Sequence, residues 1–171
     1  DFLGLRTLTV IRDALNLIEK NHNRKIDFSK MDYDDPKVFE LLSSGNTLGV
    51  FQLESAGMRV FMKQLKPDNF EDIVAGISLY RPGPMDSKTH TSYALRKKGK
   101  EVGESDPGCE EITATTHGLI IYQEQVMSIC SHIADFSLVE ADEVRKGLGK
   151  KNAELVEKYR AQFLEKAVEN G

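Results

Sequence analysis

Arg145, Lys146, Lys150 and Lys151 place four cations in one short stretch near the end of the chain. Arg145 and Lys146 belong to a segment whose apolar face is Ala141, Val144 and Leu148, which sets the two cations on the opposite side of a helix. Arginine offers a planar fork for phosphate oxygens, and lysine a compact charge. Adjacent cations on a rigid helix suit a triphosphate, and equally suit a plain solvated helix end. Gly147 and Gly149 should weaken this helix and let a phosphate or a backbone come close. The stretch is not a P-loop, because Val144 stands where the first Gly would be and Lys151 where the hydroxyl would be.

Arg81 is the next candidate. Tyr80-Arg81-Pro82-Gly83-Pro84 reads as a stiff corner, which either presents Arg81 outward or pairs it with a carboxylate in a simple structural turn. Gln123, Glu124 and Gln125 open a helix as capping residues, as surface residues or as hydrogen-bonding groups in a cleft. His22, His90, His117 and His132 have no metal-ligand spacing with Cys109 and Cys130, and His132 reads as exposed or hydrogen-bonded. Two cysteines make no disulfide framework in a chain of this length.

The elements that must hold these groups are helices. Leu8, Ile11, Leu15 and Ile18 mark one from Thr7 to about Lys20. Asp34-Asp35-Pro36 starts another, which Gly45 stops. Val50 to Leu53 is a short strand or a tight turn. A third helix follows Ser55 and cannot pass Pro67, and a fourth starts at Asp68-Asn69-Phe70-Glu71 and ends before Pro82. The stretch from Asp86 to about His117 reads as a surface loop with a short helix near Tyr93 to Lys98. Further helices begin near Tyr122, at the capping box Ser137-Leu138-Val139-Glu140, and after the cap Asn152, the last carrying Leu155, Tyr159, Phe163 and Ala167. The class is mainly α, a multi-helix region with at most a short strand or hairpin.

Hydrophobic residues make up 40% and charged residues 29%, which is the composition of a globular domain rather than a disordered chain. The net charge of -4 argues against a free-standing nucleic-acid binder, so local charge placement matters more than the total. Nothing reads as a signal peptide or a membrane span, and a reducing cytoplasm is expected. The absence of an initiator Met before Asp1 suggests a cut from something larger.

Six strings, in order, resemble the alpha subunit of bacterial DNA polymerase III, a C-family replicative polymerase. They are Asp1-Phe2-Leu3-Gly4-Leu5-Arg6-Thr7, Gly49-Val50-Phe51-Gln52-Leu53-Glu54-Ser55, Phe70-Glu71-Asp72-Ile73, Tyr80-Arg81-Pro82-Gly83-Pro84-Met85, Gly118 through Met127, and Ala141-Asp142 through Lys151. The resemblance spans essentially the whole chain. It implies that residues 1–30 are the end of the catalytic palm with a connecting helix, and that residues 31–171 belong to the fingers. Asp1 would then be the third catalytic carboxylate and a ligand of Mg2+ in the full enzyme. Arg145 and Lys146 would contact the triphosphate of the incoming nucleotide, with Lys150, Lys151 and Arg81 in the same role. Lys146 stands where the family usually has Arg, which keeps the charge and loses the fork.

The other palm carboxylates of the family lie upstream on an Asp-x-Asp motif, so the isolated chain is expected to bind no metal and to be inactive. The implied partners of the full enzyme are primer-template DNA and a deoxynucleoside triphosphate. Other replicase subunits would bind through regions outside this chain, and no membrane is involved. The competing reading is a non-catalytic helical module that binds nucleic-acid backbone or packs against partner domains.

Overall fold

The computed structural model describes residues 4–103 and 106–170, and the chain divides into two compact units, residues 1–35 and 36–171. The first unit holds α1 (Arg6–His22), which ends on Asn23 in the left-handed conformation, its N–H donating to Glu19 O. No residue of α1 is buried; Leu15 and Ile18 of its apolar stripe are half-covered, and Leu8 and Ile11 are exposed. A single 3-10 turn, Phe28–Lys30, follows, capped by Asp27, which accepts from Ser29 N at 3.0 Å and from Ser29 Oγ at 2.7 Å.

The second unit is helical, with no strand among the described residues. Its helices are α2 (Pro36–Ser44), α3 (Ala56–Leu65), α4 (Phe70–Leu79), α5 (Pro82–Asp86), α6 (Thr89–Lys97), α7 (Glu110–Thr113), α8 (Gln123–Ala134), α9 (Leu138–Gly149) and α10 (Ala153–Asn170). Pro36 sits at the first position of α2, where its missing N–H costs nothing, and Gly45 terminates it at φ +68°. Ser55 caps α3 by accepting from Met58 N, and Asn69 caps α4 by accepting from Asp72 N at 2.9 Å. Between α2 and α3, Val50 to Leu53 is a run of turns and not a strand: Val50 N and Leu53 N each donate three residues back, to Thr47 and Val50. Thr47, fully buried, donates its hydroxyl to Leu53 O and closes that turn.

The packing forms two apolar clusters. One gathers Leu42, Leu53, Met58, Phe61, Met62, Leu65, Ala75, Leu79, Tyr93 and Ala94. Each fully buried large side chain there contributes on the order of 1.5–3 kcal/mol. A single close approach sets part of this geometry. A Cβ on Gly57 would run into Tyr80 Oη, so the bare glycine lets the Tyr80 ring lie against α3, where it stacks on Phe61 with centroids 5.9 Å apart. The other cluster joins Cys130 and Ala134 of α8, Phe136, Ala141 of α9 and Tyr159 of α10.

Two stretches depart from the sequence reading. The Arg81-Pro82-Gly83-Pro84 corner is the start of α5, since prolines fit the first helical turn, where no N–H is needed. Most of the stretch from Asp86 to His117 read as loop is ordered: α6 begins at Thr89 rather than near Tyr93, α7 follows, and a 3-10 turn covers Ala114–Thr116. Polar and glycine-rich composition hid them, because only Tyr93, Ala94, Thr113 and Thr116 of these elements are buried.

Candidate functional site

α9 carries the principal candidate cations, and its start follows directly from sequence. Ser137 Oγ accepts from Glu140 N at 3.3 Å while Glu140 Oε2 accepts from Ser137 N at 2.8 Å, a reciprocal cap. The face that α9 buries runs Ala141, Val144, Gly147 rather than ending on Leu148, which is exposed. Gly147 faces α10, where an added Cβ would meet Leu155 and Val156 in ordinary contact at 3.4 Å, whereas Gly149, with nothing within 4 Å of an added Cβ, is the open one.

Arg145 and Lys146 converge on one acidic residue of their own helix. Asp142 Oδ1 accepts from Arg145 Nε at 2.8 Å, and Asp142 Oδ2 lies 2.8 Å from Lys146 Nζ. Glu143 Oε1 adds a second contact to Lys146 at 3.2 Å. Arg145 also reaches the first residue of α8, donating from Nη1 to Gln123 Oε1 at 3.0 Å. The Lys146 ammonium and then the Arg145 guanidinium hold the Asp142 carboxyl below the usual carboxylate range. Asp142 and then Glu143 raise the Lys146 ammonium in return. Both shifts favour the charged forms of Asp142 and Lys146.

Lys150 and Lys151 follow where the helix ends. Lys150 is the C-cap, Lys151 has φ 53°, and both are exposed without an ion pair to a described residue. Lys150 is five residues past Arg145, roughly 7 Å along the axis at 1.5 Å per residue. Lysines here are favoured by the negative end of the helix dipole, which itself opposes an anion. Arg81 caps the start of α5, exposed and without an ion pair to a described residue, so it is not held by a carboxylate in a turn. α5 packs chiefly on α6, whereas α9 packs chiefly on α8 and α10. The structure thus brings Arg145 and Lys146 together, places Lys150 and Lys151 at the end of the same helix, and sets Arg81 on a different element. Two cavities, of about 450 Å3 and about 190 Å3, have none of these five cations in their lining.

Asp1 lies outside the described residues. Among the described residues no three carboxylate, imidazole or thiol groups converge as a metal-binding set. Both cysteines are free and buried, and desolvation pushes their thiols up, so neither is an activated nucleophile. His132 is exposed.

Two polar groups that sequence reasoning did not single out as sites, or left undecided, anchor the unit. Gln125 is buried: its Oε1 accepts from Ile121 N at 2.8 Å and Tyr122 N at 2.9 Å, and its Nε2 donates to Thr116 Oγ1 at 2.7 Å and Ile112 O at 3.1 Å. It caps α8 and fixes the approach to it. Asp72 lies with its side chain only 3% exposed, 3.1 Å from Lys97 Nζ, which also meets Asp68 at 2.6 Å. Asp68 N, Asn69 Nδ2 and Tyr93 Oη donate to the same Asp72 carboxylate. The available signal was Asp72 at the third position of a capped helix, and nothing in sequence linked it to Lys97.

A family model of the bacterial DNA polymerase III alpha subunit finger domain matches residues 7–171. The DNA polymerase III alpha subunit of Aquifex aeolicus is 48% identical over 172 residues, covering the whole chain and 15% of that protein. The corresponding subunit of Staphylococcus aureus is 49% identical over 171 residues, covering the whole chain and 16% of that protein. That of Saccharopolyspora erythraea is 48% identical over 162 residues, covering 92% of the chain and 14% of that protein. The chain therefore spans about one seventh of the length of these relatives. No helix among the described residues is long and apolar enough to cross a membrane. With a domain model matched almost end to end and near-half identity throughout, this mainly α chain belongs to the finger-domain family of the bacterial DNA polymerase III alpha subunit.

Proposed function

We propose that the basic side of α9 binds the phosphates of an incoming deoxynucleoside triphosphate within a whole DNA-directed DNA polymerase that copies a primed DNA template. Arg145 and Lys146 are the main contacts, Lys150 and Lys151 extend the same field, and Arg81 contributes from α5. The observation that supports this is the fixed pair: Arg145, tied to both Asp142 and Gln123, stands beside Lys146 at the same carboxylate. A guanidinium held from two helices retains donors for a ligand and loses little freedom on binding. Residues 1–30 are proposed as the end of the palm with its connecting helix, and Asp1 as one carboxylate ligand of Mg2+ beside others carried elsewhere in the enzyme. A metal held there would supply neutralisation of charge on the transferred phosphate. The isolated chain is expected to be inactive. In the complete polymerase, Arg145→Ala should raise the nucleotide KM at least about tenfold, the scale of one lost charge-assisted contact. An unchanged KM removes the assignment.

A second reading, binding of nucleic-acid backbone, is favoured by a different patch. Lys66, Lys98 and Lys100 make no ion pair with a described residue, and Lys98 donates to Gln64 O. Burial, and then the charges of Lys66, Lys100 and Lys97, lower the Lys98 ammonium. Salt-sensitive retention of DNA by the chain, lost on Lys66→Glu with Lys98→Glu, supports this reading; retention that ignores salt and substitution refutes it.

A further inference from the structure

Asp142 occupies its two cations much as a phosphate would. Each of its oxygens takes one of them at 2.8 Å, Oδ1 from Arg145 and Oδ2 from Lys146. Two oxygens bridging two adjacent cations is also the pattern a terminal phosphate needs. The side chains involved are a third to a half exposed, so an incoming anion can reach them. Gln123, which holds Arg145 through a different nitrogen, keeps the guanidinium in position when Asp142 lets go. We infer that Asp142 is a resident competitor: an internal anion that neutralises Arg145 and Lys146 when the site is empty and is displaced when a phosphate arrives. This rests on the nucleotide-binding role proposed for those two cations.

Displacement leaves a carboxylate charge beside the bound phosphates. Two like charges some 4 Å apart in water repel by about 1 kcal/mol, close to a fivefold weakening of binding. Asp142 therefore lowers the hold on any phosphate chain, whether the triphosphate or the pyrophosphate that nucleotidyl transfer releases. It acts through the cations and touches no reacting atom, so it is a positioning residue. Its benefit is release, because a site with four unopposed cations would retain pyrophosphate.

The test is steady-state kinetics on the complete polymerase. Asp142→Asn keeps the shape and removes the charge, and should lower both the nucleotide KM and the pyrophosphate inhibition constant by roughly threefold to tenfold. Glu143→Gln, which touches only Lys146, should move both constants the same way by about twofold. It also serves if Asp142→Asn fails to fold. An Asp142→Asn enzyme with either constant unchanged or raised overturns the inference, as does a Glu143→Gln enzyme with raised constants. Arg145→Ala separates the two ideas. If it leaves KM unchanged, the nucleotide site falls and the inference with it. If it raises KM while Asp142→Asn fails to lower it, the inference alone falls.

Discussion

Two carboxylates in the second unit each hold cations, and they do so in opposite circumstances. Asp72 is almost sealed, with 3% of its side chain exposed, and its partners come from the lead-in to α4 and from α6. Asp142 is a third exposed, and both of its cations lie on its own helix, within four residues. The buried carboxylate has no water to fall back on, so every hydrogen bond it accepts is obligatory. The exposed one exchanges partners at little cost, because surface ion pairs contribute little. Similar chemistry therefore makes a fastener in one place and a ligand-responsive group in the other.

The comparison is most exposed to Asp72→Ala. That change leaves Lys97 with Asp68 alone, takes from Asp68 N its acceptor, and should cost about 3 kcal/mol in denaturant unfolding. A cost near zero would mean that the buried cluster is no fastener. Alkaline pH comes next. Desolvation works against the Lys97 ammonium, but its hydrogen bonds to Asp68 and Asp72 win and raise its pKa in the fold. Burial, and then the charge of Asp72, push the Tyr93 hydroxyl far up. Groups whose pKa is raised on folding stabilise fully below their unfolded pKa and lose that contribution as pH climbs through the folded one. Stability should therefore decline above about pH 10. A flat profile to pH 11 would contradict this.

Tyr93→Phe probes the weakest link of the same cluster. The Tyr93 bond to Asp72 is 3.5 Å long, so its loss should cost about 0.5 kcal/mol and reduce the alkaline decline. The smallest effect belongs to Asp142→Asn, which should leave the unfolding midpoint where it was. A marked drop would make Asp142 a structural residue, and the two clusters would no longer differ in kind.

Much of this was legible in sequence for a local reason. The caps Ser55, Asn69 and Ser137, Pro36 at a first turn and Gly45 at an end act within four residues, so α2, α3, α4 and α9 could be placed from the chain alone. What escaped depends on distant or competing partners. α5 hid behind its prolines, and the first turn of α6 behind Thr89, Thr91 and Ser92, while its second half was expected. Recognising that Gly147 rather than Leu148 faces inward needed knowledge of where α10 would lie. The adjacency of Arg145 and Lys146 was plain, but their shared carboxylate was not singled out, although Asp142 lies at helical spacing from both. The pairing of Asp72 with Lys97, twenty-five positions apart in the chain, has no local signature.

The contact of Tyr80 with Gly57 ties two positions into one heritable unit. Any side chain at residue 57 meets the Tyr80 hydroxyl first, and the next ring atom, Cζ, lies 3.0 Å from the added carbon. Mutational drift at one position is thus conditional on the other. Alanine at 57 is barred while the hydroxyl at 80 remains, and once it is gone needs only a small shift of the ring. The order of change is therefore fixed: the hydroxyl at 80 goes first, with glycine still at 57, and a side chain at 57 can only follow.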